Sequence, residues 1–305
     1  MPEHVFSRRQ FVRTSSVAGA GFTIMPRHVF GGPKYRAPSD TLNVAHIGVG
    51  GMGRGDVQGM ANVGENIYAL CDVDDNQASS AWSAFPQAKR YRDFRVMLEH
   101  EAENIDAVVI STPDHTHAVA GMMALSLGKP TRIQKPLART MWEVQQLMSA
   151  AEVAGVATQM GNQGHAQEGT RQMREWYEAG AIGEIIRVEY WTNRPIWPQA
   201  IHRPTDVHHV PPGLDWDLWL GPAPERPYHP AYAPFNWRGW WDFGTGALGD
   251  IACHAMDAAF WTFDLGMPER ISAESTTLFS ETAPAASRIE YSFPIRGSRP
   301  AVEVV

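Results

Sequence analysis

Apolar and polar positions follow two different rhythms along this chain. Up to residue 161, short apolar runs alternate with longer stretches of helical spacing. Residues 42–48, 67–71, 105–112, 132–134 and 156–160 read as strands, the third of them β-branched and bounded by Pro113. Between them, a helix opens at the glycines after residue 48, with Met52, Val57 and Met60 facing inward. Further helices are expected over 75–85 (ended by Pro86), 115–127 and 140–154. Strands alternating with helices predict a parallel sheet covered on both faces. After Gly161 the rhythm changes. A helix over 165–179, a strand over 185–192, a helix over 249–263 and strands over 270–277 and 288–293 predict an α+β domain with an open, mainly antiparallel sheet. Between them lies a Pro- and Trp-rich stretch, 193–246, far longer than an ordinary loop. The expected organisation is an N-terminal leader and linker over 1–39, a Rossmann-type domain over 40–161 and the α+β domain over 162–305. The strand-like alternation of residues 301–305, with no turn after it, raises the expectation of a truncated sequence.

Composition fits a globular chain, with 44% hydrophobic and 19% charged residues. Charge is unevenly placed. Residues 1–39 carry a basic surplus of 5, which leaves −12 on the remainder of a chain whose total is −7. Such a surface repels nucleic acid. The basic start contains Ser7-Arg8-Arg9-Gln10-Phe11-Val12-Arg13, a twin-arginine pattern, followed by small and apolar residues too few to span a bilayer. Export of a folded protein to the periplasm or beyond is expected, with no membrane span in the mature protein. Cys71 and Cys253 fall in different predicted domains, so no disulfide is expected.

Gly48-x-Gly50-x-x-Gly53 follows a predicted strand and opens a helix, which is the context that gives this spacing meaning. Gly48 permits the turn, Gly50 lets backbone approach a pyrophosphate, and Gly53 allows close helix–strand packing. Gly51 and Met52 sit at the helix N-terminus, whose unpaired N–H groups suit phosphate. Asp72, at the end of the second strand, is placed to accept hydrogen bonds from the adenosine ribose and to repel a 2′-phosphate. NAD is the expected cofactor.

Oxidation of a secondary alcohol needs a group to take the hydroxyl proton and another to hold the oxygen. Asp250 and His254, four residues apart on a predicted helix, share a face. His254, titrating near neutrality, is a general-base candidate, Asp250 could orient it, and Lys135 could anchor the reacting oxygen. From spacing alone the plainer reading makes Asp250 a helix N-terminal charge and His254 a packed core residue. His202, His208 and His209 lack metal-site spacing, and no metal is expected. Eight of the 11 tryptophans lie between Trp191 and Trp261. Most are expected in packing, while Trp197, Trp240, Trp241, Tyr228 and His229 are candidates to face a sugar ring.

Thr112-Pro113-Asp114-His115-Thr116-His117, Gly128-Lys129-Pro130, Gln134-Lys135-Pro136 and Gly246-Ala247-Leu248-Gly249-Asp250 leading to His254 and Asp257 resemble successive signatures of the Gfo/Idh/MocA oxidoreductase family. The resemblance implies an active site between a Rossmann domain and an open sheet that often forms a dimer interface, hence a homo-oligomer. It implies Lys135, Asp250 and His254 as catalytic residues, with Thr112, Pro113, His117, Gln134 and Lys135 on the cofactor side. The family commonly has Glu where this chain has Gln134, which removes a carboxylate neighbour from Lys135. The expected activity is NAD-dependent hydride transfer from a sugar, glycoside or cyclitol hydroxyl, with tightly held cofactor. A redox-neutral glycoside hydrolase and a non-catalytic sugar-binding protein are the alternatives.

Overall fold

A computed structural model describes Ala37 and residues 40–305; the twin-arginine segment lies outside the described residues. The first half alternates as its periodicity predicts, with one strand and one helix more than expected over residues 89–101: β1 (Asn43–Ile47), α1 (Gly51–Asn62), β2 (Asn66–Cys71), α2 (Asp75–Ala84), β3 (Lys89–Tyr91), α3 (Phe94–Glu101), β4 (Ala107–Ile110), α4 (Asp114–Ser126), β5 (Thr131–Gln134), α5 (Met141–Ala154) and β6 (Thr158–Gly161). All six strands are parallel, in the order β3-β2-β1-β4-β5-β6. This order reverses direction between β1 and β4, and the crevice at that switch point is where such sheets take ligands.

Both faces are buried at the centre of the sheet, where β1, β2 and β4 are largely apolar. Ile47, Val108 and Ile110 pack on one side with Ala120, Leu125 and Leu147, and Val57, Ile67 and Leu70 form the other cluster. Each such side chain contributes roughly 1.5–3 kcal/mol relative to exposure. Helix ends are marked by sequence. Asp74 caps α2 by accepting from Asn76 N, Asp93 caps α3, and Thr140 with Glu143 forms a reciprocal capping box on α5. Met52 departs from expectation: it is 58% exposed, because the glycine turn brings α1 in with its first turn facing the crevice.

In the second half, α6 (Glu168–Glu178) follows a single 3-10 turn over Gln163–Ala166. The remaining elements are β7 (Arg187–Val188), α7 (Trp216–Leu220), α8 (Gly246–Ala255), α9 (Asp257–Phe263), β8 (Arg270–Ser275), β9 (Ser287–Phe293) and β10 (Val302–Val304). The sheet runs β7-β10-β9-β8, antiparallel except for the β7–β10 pair. Three expectations are corrected. The strand over 185–192 shrinks to two residues, the helix over 165–179 loses its first turn, and that over 249–263 divides at Met256 into α8 and α9. One sheet face is covered by Ala259, Phe263 and Leu265 packed with Phe293, Val302 and Val304, while all six residues of β8 are exposed.

The Pro- and Trp-rich stretch builds an aromatic core whose one α-helix is the short α7. Trp219, Tyr232, Trp237, Trp240 and Phe243 are buried together, Trp216 stacks on Trp219 at 4.8 Å, and Trp240 Nε1 donates to Ala231 O at 2.8 Å. Arg226 lies buried against the rings of Tyr232 and Phe243 and pairs with Asp242. Residues 212–215 then run along the end of β2 as a strap. Asp75 N donates to Gly213 O at 3.0 Å, Asp215 N to Val73 O at 2.9 Å, and Asn76 Nδ2 to Pro212 O at 2.9 Å.

Candidate active site

The glycine turn forms one end of a cavity of about 260 Å³. Gly48 has φ +77°, and a Cβ there would lie 2.8 Å from Ser111 backbone; a Cβ on Gly53 would lie 2.0 Å from Gly48 O. Only glycine permits this approach of α1 to β1 and β4. A Cβ at Gly50 would instead meet Gln77 Cβ at 2.7 Å, so its small size also serves the packing of α2. At Gly51, with φ +46°, nothing lies within 4 Å, and Gly50 leaves the N-terminus of α1 without a side-chain cap. Open space before uncapped N–H groups fits a pyrophosphate.

Asp72 Oδ2 accepts from Val49 N at 2.9 Å and Gly50 N at 3.2 Å, and Oδ1 accepts from Asp74 N at 3.0 Å. Burial pushes this carboxyl up, and the three N–H bonds oppose the rise without cancelling it. Each oxygen keeps acceptor capacity, which fits ribose hydroxyls. The strap over 212–215 passes beside this end of the cavity, bonded to Val73 and Asp75.

At the other end Lys135, just after β5, meets Asp250 on α8. Its Nζ donates to Asp250 Oδ1 at 2.6 Å and to Asp250 O at 3.0 Å. Arg238 Nε is 3.5 Å from the same Oδ1, and its guanidinium lies over the ring of Trp237 at 4.2 Å. Asp114, first residue of α4, is buried and accepts from Thr245 Oγ1 at 3.0 Å. Burial pushes its carboxyl up to about 7, against that hydrogen bond and the charge of Lys135. Asp114 and Arg238 were absent from the sequence-derived candidates. The signal for Asp114 was present, since it directly follows Thr112-Pro113 at the end of a strand on the ligand side of the sheet.

His254 is placed differently from Lys135 and Asp250. It is exposed on α8, its Nδ1 is 2.8 Å from Asn162 Oδ1, and it does not line the cavity. Asp250 therefore holds Lys135 rather than orienting the imidazole. Partial desolvation of the ring first, then the charge of Lys135, lowers the His254 pKa from the near-neutral value expected. Thr112, Pro113 and Gln134 line the cavity, whereas His117 is fully buried between two carbonyls, 2.8 Å from Pro136 O and 2.9 Å from Thr112 O. Both neighbours accept, so a neutral ring satisfies one of them. Burial lowers its pKa, outweighing the pull of the carbonyls. His117 thus braces the Thr112 loop against the Lys135 loop.

Gln134 turns away from the Lys135 ammonium. Its Nε2 donates to Asp56 Oδ2 at 2.8 Å, where Ser111 Oγ also donates at 2.7 Å, while Arg132 pairs with Oδ1 at 2.9 Å. Of the aromatic candidates, Trp197, Trp240 and Tyr228 are buried in packing, and Trp219 and Trp237 line the cavity instead. Asp206, His208 and His229 come together on the surface, while His202 packs edge-on against Phe279. His229 Nδ1 accepts from Ala231 N at 3.0 Å, so a neutral ring carries its proton on Nε2, toward Asp206, in the position a metal would need. His209 is not a member of this group. Both cysteines are free.

Two family models match, one described as the NAD-binding Rossmann fold of an oxidoreductase family over residues 42–162 and the other as that family's C-terminal alpha/beta domain over 190–296. The chain belongs to the Gfo/Idh/MocA oxidoreductase family. Its N-terminal half is therefore an NAD-binding Rossmann domain. Inositol 2-dehydrogenase of Salmonella typhimurium is 27% identical over 184 residues, 55% of this chain and 54% of that protein. A glycosyl hydrolase family 109 protein of Shewanella pealeana is 28% identical over 170 residues, 48% of this chain and 37% of that protein. This Gfo/Idh/MocA chain thus spans about half the length of the inositol dehydrogenase and less of the hydrolase. The same fold occurs in the WlbA dehydrogenase of Bordetella pertussis, solved with NADH and UDP-GlcNAcA. Its TM-score is 0.64 at 20% identity, covering 87% of this chain and 70% of that one.

Proposed function

We propose that this protein oxidises a hydroxyl of a sugar, glycoside or cyclitol by hydride transfer to tightly held NAD. The Lys135–Asp250 pair carries the reading, because it lies in the same cavity as the glycine turn. Bound NAD supplies the two-electron acceptor. Gly48, Gly50, Gly51, Met52 and Gly53 would hold its pyrophosphate, and Asp72 its ribose. Lys135, fixed through two bonds to Asp250, has a third N–H to offer the substrate oxygen. His254, one turn along α8, is the family-derived candidate for general base. The strap over the adenosine end supports slow cofactor exchange, which suits a protein exported folded through the twin-arginine route. The direct experiment releases the nucleotide from the purified full-length gene product with acid and identifies it by mass. The protein is then mixed with myo-inositol or D-glucose while nicotinamide absorbance is followed. NADP as the bound species, or an empty protein needing added NAD, would overturn this form of the reading.

A redox-neutral glycoside hydrolase is the second reading, favoured by the likeness to the family 109 protein. Cleavage of a glycoside without added NAD and without net reduction would select it. Association into a homo-oligomer through the open face of the second sheet completes the proposal, with the six exposed residues of β8 as its motivation. A monomer by light scattering would reject that part. Among the described residues no helix is long and apolar enough to cross a membrane.

A further inference from the structure

Lys135 and Asn162 leave the first sheet side by side. β5 and β6 are parallel neighbours whose last paired residues are Gln134 and Gly161. The next residue of each strand therefore starts from adjacent ends on the ligand side of the sheet. A Cβ on Gly161 would lie 2.7 Å from Gln134 Oε1 and 2.9 Å from Gln134 Cα, so glycine is what lets the two ends approach. Both side chains then reach α8. Lys135 Nζ meets Asp250 Oδ1, and Asn162 Oδ1 lies 2.8 Å from Nδ1 of His254, one turn further along.

An amide oxygen only accepts, so Nδ1 of His254 carries a proton in this contact. Partial desolvation and the charge of Lys135 hold the ring pKa below its ordinary value, against Asp250 and Asp257, so the neutral ring predominates at neutral pH. A neutral imidazole protonated on Nδ1 has its lone pair on Nε2, which has no hydrogen-bond partner among the described residues. Asn162 is itself held in place. Its N–H donates to Met160 O at 2.9 Å, and its backbone carbonyl accepts from His165 N at 3.2 Å. The 3-10 turn that follows is fastened to α9 by His165, whose Nδ1 is 2.9 Å from Asp257 Oδ2. The Asn162 side chain caps no helix, and its Nδ2 is buried without a partner among the described residues. Its one bond is to His254.

We infer that Asn162 is the positioning residue for His254, fixing the ring's tautomer and direction so that Nε2 is the atom that takes the substrate's hydroxyl proton. This rests on the hydride-transfer reading above, and it gives to Asn162 the orienting part that spacing had suggested for Asp250. The O–H bond breaks, its proton passes to Nε2, and its electron pair forms the carbonyl. The C–H hydrogen leaves with its bonding pair for the nicotinamide. The ring becomes an imidazolium, and its Nδ1–H bond to Asn162 becomes charge-assisted and stronger. The proton returns from Nε2 when a carbonyl is reduced. A carboxylate in place of Asn162 would stabilise the cation further and raise the pKa, whereas the amide orients the ring without adding charge.

Two readouts test this on the NAD-loaded full-length protein. By NMR of isotope-labelled histidine nitrogens, the His254 signals, identified by their loss in His254→Ala, should show a neutral ring protonated on Nδ1 and bare on Nε2. Asn162→Leu should move that proton toward Nε2 and lower kcat with myo-inositol or D-glucose roughly tenfold, with NAD retained. Turnover should fall on the acid side as His254 is protonated. Asn162→Asp keeps an acceptor, so it should retain the Nδ1–H tautomer and move this acid limb to higher pH. A neutral wild-type ring protonated on Nε2, as the reversed amide would give, overturns the inference and leaves hydride transfer standing. So does an unchanged tautomer in Asn162→Leu, or an unmoved limb in Asn162→Asp. A wild type that reduces no nicotinamide with either substrate overturns both.

Discussion

Gln134 shows how one neighbour decides a residue's identity. Asp56 already accepts from Ser111 and Gln134 on one oxygen and pairs with Arg132 on the other. A glutamate at 134 would set a second carboxylate against Asp56 unless it kept its proton. Gln134→Glu should therefore have a folded-state pKa above its unfolded value. Its stability should match the wild type at low pH and fall as pH rises through that folded pKa, by roughly 1–3 kcal/mol at neutrality. Thermal melts of both proteins across pH 4 to 8 check this, and parallel curves would reject it. Lys135 draws its carboxylate from Asp250 across the cleft, so the loss of the family's glutamate costs it no partner. Lys135→Ala and His254→Ala should each retain NAD while losing roughly 10²-fold in turnover. A His254 variant of normal turnover would remove that histidine from the chemistry.

The elements differed in how far their residues announced them. β1, β2 and β4 could be read from apolar runs, because strands buried on both faces have no polar side to interrupt them. β3, with the sequence Lys-Arg-Tyr, and α3, only eight residues long, carry too few periods to stand out. The break at Met256 was hidden because both flanking helices share one apolar spacing. The long stretch over 193–246 gave no period at all, since its core is aromatic packing between turns and its backbone bonds run to distant partners. For the same reason the strap and Arg238 were illegible, while the glycine turn, Asp72 and Lys135 belong to local patterns. The strap makes a prediction of its own. Asn76→Ala with Arg92→Ala removes the bonds to Pro212 O and Gly213 O and should speed NAD release roughly tenfold. An unchanged release rate, followed by filter binding, would mean that the strap does not restrain the cofactor.

Across the whole molecule, the second half contributes more than a sheet. It reaches back to the Rossmann domain at α4, where the ring of His115 bonds Trp219 O and its backbone N–H donates to Phe243 O. Burial lowers the His115 pKa to about 4, so the bond to Trp219 O is made by a neutral ring. The aromatic core is thereby brought to the wall of the cavity, with Trp219 and Trp237 among its lining residues. Indole emission overlaps the absorption band of reduced nicotinamide but not that of the oxidised ring. Light absorbed by these tryptophans should therefore emerge from the cofactor whenever it holds a hydride, and from the indoles when it does not. Trp237→Phe should weaken the transfer; equal indole emission from the oxidised and reduced holoprotein would show that the rings are too far apart or poorly oriented. If transfer occurs, the packing that closes the cavity also gives the protein an optical gauge of its own redox state, readable without any added dye.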